Sequence, residues 1–151
     1  MATIRVVPRG GLSRDFAIRQ GNRCVATVGF RWLTGTAKLV VRGQTYAIRQ
    51  NQRGLCTFVL QSKGRTVARA QNRRTLFHQY CTIDYGGRTY RIESKSTLGK
   101  KLVLREGAQF VGYLEPDHAF TRKSTACLPD SLPLAVQVFV IVVAMRLWME
   151  Q

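Results

Sequence analysis

The chain has 151 residues, with 24 Lys and Arg against 8 Asp and Glu, a net charge of +16 and an isoelectric point near 10.9. A hydrophobic content of 45% excludes a disordered chain, and the length suits one domain with a real core, spanning residues 1–151. Charge of this sign favours anionic partners, and 18 of the 24 cations are Arg, whose planar fork fits phosphate oxygens, although codon bias produces the same composition.

The opening MATIRVVPRGG has no long apolar stretch before Gly10, so no secretory signal is expected. Thr3 to Val7 reads as a first strand. The four cysteines, Cys24, Cys56, Cys81 and Cys127, are scattered, with no CxxC and no ligand-like pairing with His78 or His118. Each falls in an apolar run. They are expected to be reduced, buried, inert thiols of a cytoplasmic protein that holds no metal and no cofactor.

Five similar segments then follow in order: FAIRQGNRCVATV (Phe16 to Val28), LVVRGQTYAIRQ (Leu39 to Gln50), FVLQSKGRTVARA (Phe58 to Ala70), CTIDYGGRTYRI (Cys81 to Ile92) and KLVLREGAQFVGYL (Lys101 to Leu114). Each is an alternating β-rich run, a Gly-containing polar turn and a second run. The turn glycines Gly21, Gly43, Gly64, Gly86 and Gly107 stand 22, 21, 22 and 21 residues apart. Propeller blades and solenoid coils usually repeat at longer spacing or with stricter motifs, so a meander of hairpins fits better. With the first strand and a last one at Ala119 to Ala126, the count reaches about twelve, over residues from about 3 to about 126.

Parity assigns the faces. Tyr46 and Ile48, Cys56, Phe58 and Leu60, Phe77, Cys81, Ile83 and Tyr85, Tyr90 and Ile92, Leu102 and Leu104, and Phe110 and Leu114 each share one face of their strand. Arg42, Arg49, Arg91 and Arg105 alternate with apolar neighbours and are expected to point outward. An open sheet this wide would curl or close, so the expected fold is mainly β: a closed antiparallel β-barrel of about twelve strands with a dry interior.

Such a barrel is too wide for its own side chains to fill, since eight strands already leave an interior only just filled. The stretch LPLAVQVFVIVVAMRLWM, Leu132 to Met149, is the candidate plug, because only Gln137 and Arg146 are polar. Asp130 or Ser131 can N-cap a helix of about residues 131–149, and Pro133 suits its first turn. A helix apolar all round is buried in protein or in lipid, and a rise of about 27 Å against a hydrocarbon core of about 30 Å does not decide which. The otherwise empty lumen and the position of Arg146 within the span favour a buried helix and no transmembrane span.

The ending DSLPLAVQVFVIVVAMRLWME, with hairpins such as FVLQSKGRTVARA and CTIDYGGRTYRI, resembles the tubby C-terminal-like barrels, which include tubby domains, phospholipid scramblases and LURP-one-related proteins. The resemblance covers most of the chain and implies a meander barrel around a hydrophobic C-terminal helix, with membrane-proximal lipid recognition as an expectation. The phosphoinositide-contact motif of tubby domains and the calcium-binding segment of scramblases have no match here, so those activities are not carried over.

Residues suited to catalysis are few. His78 alternates with Leu76 and Tyr80 as a wall residue would, and His118 lies in the turn-like EPDHAF. Neither stands in an HExxH or a nucleophile elbow. Glu115 and Asp117 flank Pro116 and either hold a cation or satisfy a loop. Gly10-Gly11 and Gly86-Gly87 lack the following helix of a phosphate-cradling loop. The chain is therefore expected not to be an enzyme.

Basic clusters remain. The links between hairpins carry Arg31, Arg53, Arg73, Arg74, Lys95, Lys100 and Lys101, against Arg23, Lys63, Arg65 and Arg88 at the tight-turn end. The link end is the candidate anion-binding rim, meeting phospholipid headgroups or another polyanion; the alternative is an ordinary solvated surface. Trp32 in the same end either dips into a headgroup layer or covers the barrel mouth. Non-specific nucleic-acid binding is the rival, weakened by the lack of a recognition helix and of clustered exposed aromatics, and a protein-interaction scaffold is the third reading. The expected protein is a cytoplasmic monomer, peripheral at a membrane where it meets lipid.

Overall fold

A computed structural model describes residues 3–9, 15–31, 36–51, 57–74, 79–94, 100–117 and 123–149. In chain order its strands are β1 (Thr3–Pro8), β2 (Asp15–Gln20), β3 (Arg23–Arg31), β4 (Thr36–Val41), β5 (Gln44–Asn51) and β6 (Thr57–Ser62). The second half continues with β7 (Arg65–Arg74), β8 (Gln79–Tyr85), β9 (Arg88–Ser94), β10 (Leu102–Glu106), β11 (Gln109–Pro116), β12 (Ser124–Cys127) and the helix α1 (Leu134–Met149). Every strand pairs antiparallel with its neighbours in sequence, and β1 pairs with β12 from Thr3↔Cys127 to Val6↔Ser124, so the sheet closes into a barrel of twelve strands. Closure removes the two unpaired edges that an open meander would expose.

The five tight hairpins have the chemistry their sequences suggested. At Arg42-Gly43, Lys63-Gly64 and Gly86-Gly87 both central residues have positive φ, between 48° and 81°. This is the type I′ pattern, whose twist matches that of the flanking strands. Gly21 and Gly107 have φ of 60° and 63° at the first central position only, the type II′ pattern. Arg42 is thus a turn residue, not a strand residue as its alternation implied. The first and last strands also move: β1 runs one residue past Val7, and β12 is Ser124–Cys127 where Ala119 to Ala126 was expected, residues 118–122 lying outside the described ones.

Every second hairpin carries a bulge. The register shifts between Ile18 and Arg19 against β3, between Leu60 and Gln61 against β7, and between Leu104 and Arg105 against β11. One extra residue inverts the facing of all residues between it and the turn. This overturns two expectations. Phe110 shares parity with Leu114, yet it pairs with Arg105 and is 57% exposed. Cys24 shares parity with Ala26, yet it pairs with Arg19 and is exposed, its thiol donating to the Ala26 carbonyl at 3.4 Å. Cys127, on the outer parity of β12, is half-buried, so of the described cysteines only Cys81 is the buried thiol expected of all four. Cys56 and Phe77 lie outside the described residues.

The remaining inward assignments hold. Ile48, Phe58, Leu60, Cys81, Ile83, Tyr90, Ile92, Leu102, Leu104 and Leu114 are buried, and Tyr46 and Tyr85 pack partly buried against them. The lumen is filled by α1. All ten residues from Ala135 to Ala144 are buried, and Phe139 is the largest of them with no exposure. The helix lies nearest β6, β7 and β8, where the inward residues Ala68, Ala70 and Cys81 are small enough to let it approach. At 16 residues, no helix among those described is long and apolar enough to cross a membrane.

The helix begins later than residue 131. Asp130 and Ser131 form a turn closed by Leu132 N–H donating to the Pro129 carbonyl, and the first helical bond is from Gln137 N–H to the Pro133 carbonyl. Gln137, buried, turns its amide back onto the Leu132 carbonyl at 2.8 Å and the Pro129 carbonyl at 3.3 Å. One polar residue thereby satisfies the carbonyls of the turn that leads into an apolar lumen.

Entry of the chain into that lumen depends on Gly112. A Cβ there would stand 2.5 Å from the Cys127 carbonyl oxygen and 3.3 Å from Leu128 Cα, where the backbone leaves β12. Gly112→Ala should destabilise the protein by about 1–3 kcal/mol through overpacking, read as a lower urea midpoint. Phe139→Ala should cost about 3–5 kcal/mol in the same titration, because the emptied volume lies in the closed centre of the barrel.

Candidate anion-binding surface

The seven rim cations separate into distinct positions. Arg31 is the last residue of β3, Arg73 and Arg74 end β7, and Lys100 and Lys101 precede β10, so all five stand at the link end of the barrel. They do not converge, because β3, β7 and β10 are spread around the ring. Arg31, Arg73 and Lys100 are exposed. Arg73 Nη2 donates to Gln71 Oε1 at 2.6 Å, and the half-buried Lys101 places its ammonium 4.4 Å from the centre of the Tyr113 ring. Arg53, Lys95, Trp32, His78 and His118 lie outside the described residues.

A stronger charge pattern runs along the wall. Between Asp15 and Asp84 the chain contains twelve Lys and Arg and no carboxylate side chain. In the closed barrel these residues form one continuous sector, from β2 after Asp15 through β7. Its cations Arg31, Lys38, Arg49, Arg69 and Arg73 are all exposed. A single cross-strand row runs Arg31↔Thr36↔Arg49↔Val59↔Arg69 and meets its first acid at Asp84 on β8. Arginines on alternate strands of that row are about 10 Å apart, twice the inter-strand spacing. Cations at such spacing over five adjacent strands make a two-dimensional basic face.

The other half of the wall is mixed and internally neutralised. Glu93 lies within 3.1 Å of Arg91 Nε and 2.7 Å of Arg105 Nε, ion-pair distances without hydrogen-bond alignment at either Nε. The Arg91 guanidinium sits 3.6 Å over Tyr80, and that of Arg105 sits 4.1 Å over Phe110. Tyr80 on β8 and Phe110 and Tyr113 on β11 lie on this half of the wall, each beneath a cation. Arg88 is held above its ordinary pKa first by a hydrogen bond with Tyr90 and then by the charge of Glu106, 3.6 Å from its Nε. Asp117 is ion-paired with Arg5 and accepts from Thr125 Oγ1 at 2.7 Å, which answers the role left open for it beside Glu115. Among the described residues no three His, Cys, Asp or Glu side chains gather as metal ligands.

At the link end the acid-free sector meets the end of α1. Arg146, in the last turn, donates through Nη2 to Gln50 Oε1 on β5 at 3.4 Å, and Trp148 Nε1 donates to the Lys100 carbonyl at 2.6 Å. A cation in the last turn also complements the partial negative charge of the helix C-terminus. Between this end and the wall lies a cavity of about 40 Å³, lined by Phe30, Arg31, Thr36, Ala37, Ile48, Gln50, Phe58, Val142 and Arg146. No carboxylate is among these described residues.

No protein-family model, curated protein or solved structure matches this chain.

Trp148→Phe keeps an aromatic ring and removes the indole donor to the Lys100 carbonyl. It should cost about 1 kcal/mol, and hydrogen exchange should show faster opening of the last turn of α1 than of its centre.

Proposed function

We propose that this protein is a non-enzymatic binding module that docks on anionic phospholipid surfaces through the β3 to β7 wall and the adjoining link end. The observation that carries the reading is the acid-free sector, whose exposed cations spread in two dimensions over five adjacent strands. Near an anionic leaflet each such cation contributes about 1 kcal/mol, and the attraction fades within a Debye length of about 8–10 Å. A curved wall meets a planar array of headgroups along several strands at once, so Arg31, Lys38, Arg49 and Arg69 add together where a single loop would supply one or two contacts. The closed twelve-stranded barrel around an apolar C-terminal helix supports the resemblance to tubby C-terminal-like barrels, and that resemblance supports lipid recognition and a peripheral place at the membrane.

Nucleic acid fits the surface less well. Sequence-tolerant binding of single strands combines a basic track with aromatic platforms along one groove. Here the aromatics Tyr80, Phe110 and Tyr113 lie on β8 to β11, beside Glu93, whereas the acid-free strands are β3 to β7. Phosphates and bases of one strand would have to follow two different sides of the barrel.

Flotation with vesicles containing about a third phosphatidylserine should carry the protein upward at low salt and release it at high salt. The double change Arg49→Gln with Arg69→Gln should weaken the partitioning by about 10–30-fold, at about 1 kcal/mol per charge removed. Vesicles left behind at low salt, with a salt-dependent oligonucleotide complex instead, would transfer the basic face to nucleic acid.

A further inference from the structure

The strands of the basic wall are staggered, and the stagger lines up their cations along the barrel. In the row Arg49↔Val59↔Arg69↔Asp84↔Thr89, Arg49 stands six positions from Gly43 of its turn, whereas Thr89 stands two from Gly87 of its own. With the tight turns level at one end, the row slopes towards them by four residues over four strands. At about 3.3 Å per residue and 4.8 Å per strand, that slope is a strand tilt of about 35° from the barrel axis.

At this tilt, passing from Arg49 on β5 to Arg69 on β7 moves about 8 Å round the barrel, and going back along β7 to Arg65 returns almost all of it. Arg65 thus lies beneath Arg49 along the axis, about 15 Å nearer the tight turns, with Lys63 of the adjoining turn beside it. Lys38, opposite Ala47 on β5, and Arg69 stand about 8 Å to either side of this line. Lys38, Arg49, Lys63, Arg65 and Arg69 are all exposed.

Given docking on phospholipid, on which this inference rests, we propose that the barrel lies side-on: the stripe from Arg49 to Arg65 faces the anionic leaflet and the barrel axis runs parallel to it. Distance selects this orientation over one that stands on the link end. Standing on that end, the barrel would hold Lys63 and Arg65 about 15–20 Å from the headgroups, about two Debye lengths at physiological salt. Lying on the stripe, a barrel of about 11 Å radius lifts Lys38 and Arg69 by only about 3–4 Å, well inside one Debye length. Five cations on β4 to β7 and their turns then act on the leaflet together.

Nanodiscs of about a third phosphatidylserine, doped with a gadolinium-chelate lipid, read the orientation from amide broadening of the bound full chain at about 0.15 M salt, with no substitution needed. Broadening should be strong at both Arg49 and Arg65 and weakest on β10 and β11, across the ring from β5. Lys63→Asn with Arg65→Gln should weaken vesicle partitioning by about 10–30-fold, matching Arg49→Gln with Arg69→Gln. Asn accepts the positive φ of position 63, so the turn is kept. Lys123→Gln, just before β12 at the link end and five strands from β5, should change partitioning by less than about two-fold. Vesicles left behind at low salt would end the docking reading and this orientation with it. Flotation with broadening confined to the link ends of the strands, unaltered partitioning after Lys63→Asn with Arg65→Gln, or a loss of about five-fold in Lys123→Gln would overturn the orientation alone.

Discussion

A ring of twelve strands leaves a lumen that its own side chains do not fill, and the rest of the structure follows from the need to fill it. The answer is a helix with no polar stripe. Residues Ala135 to Ala144 are buried on every side, a pattern that in isolation also describes a membrane segment. What distinguishes the two environments here is the fit. The helix lies nearest β6, β7 and β8, and on β7 it meets the small inward residues Ala68 and Ala70. The entry is equally specific, because Leu128 passes over Gly112, and Gln137 absorbs the carbonyls of the entering turn.

The plug also gives the barrel a direction. The helix enters near the tight turns and ends at the links, where Arg146 reaches Gln50 on β5 and Trp148 reaches Lys100 before β10. Those two strands stand far apart on the ring, so the last turn of α1 bridges the mouth. In the resulting gap beside β3 to β6, cations and an apolar wall meet. Interior packing and surface charge, otherwise independent, thus come together at one end.

Around the circumference the charge is divided in two. From β8 through β12 to β1, acids and aromatics neutralise or cover the cations, as Glu93 does for Arg91 and Arg105 and Asp117 does for Arg5. From β3 to β7 the strands carry no acid to do so. A protein with evenly mixed charges would gain nothing from presenting one side to an anionic surface. This one has a side to present, and the same arrangement orients it.

Much of the architecture was legible along the chain because its causes are local. Alternation with period two marks the strands, positive-φ glycines mark the turns, and an uninterrupted apolar run marks the plug. Where a cause was not local, the reading failed. Phe110 and Cys24 have inward parity, but a single bulge residue in each hairpin turns them out, and the bulge shows only in the register against the partner strand. The described rim residues Arg31, Arg73, Arg74, Lys100 and Lys101 stand at one end, yet their dispersal around the ring depends on which strands are neighbours. By itself, then, the sequence determined the strand meander, the buried helix and the excess of arginine, since each depends on residues a few positions apart. Only the tertiary structure decided that β3 to β7 form one continuous basic side, and that Phe30, Ile48 and Phe58 meet Val142 and Arg146, because both result from closure and filling, which bring distant segments into contact.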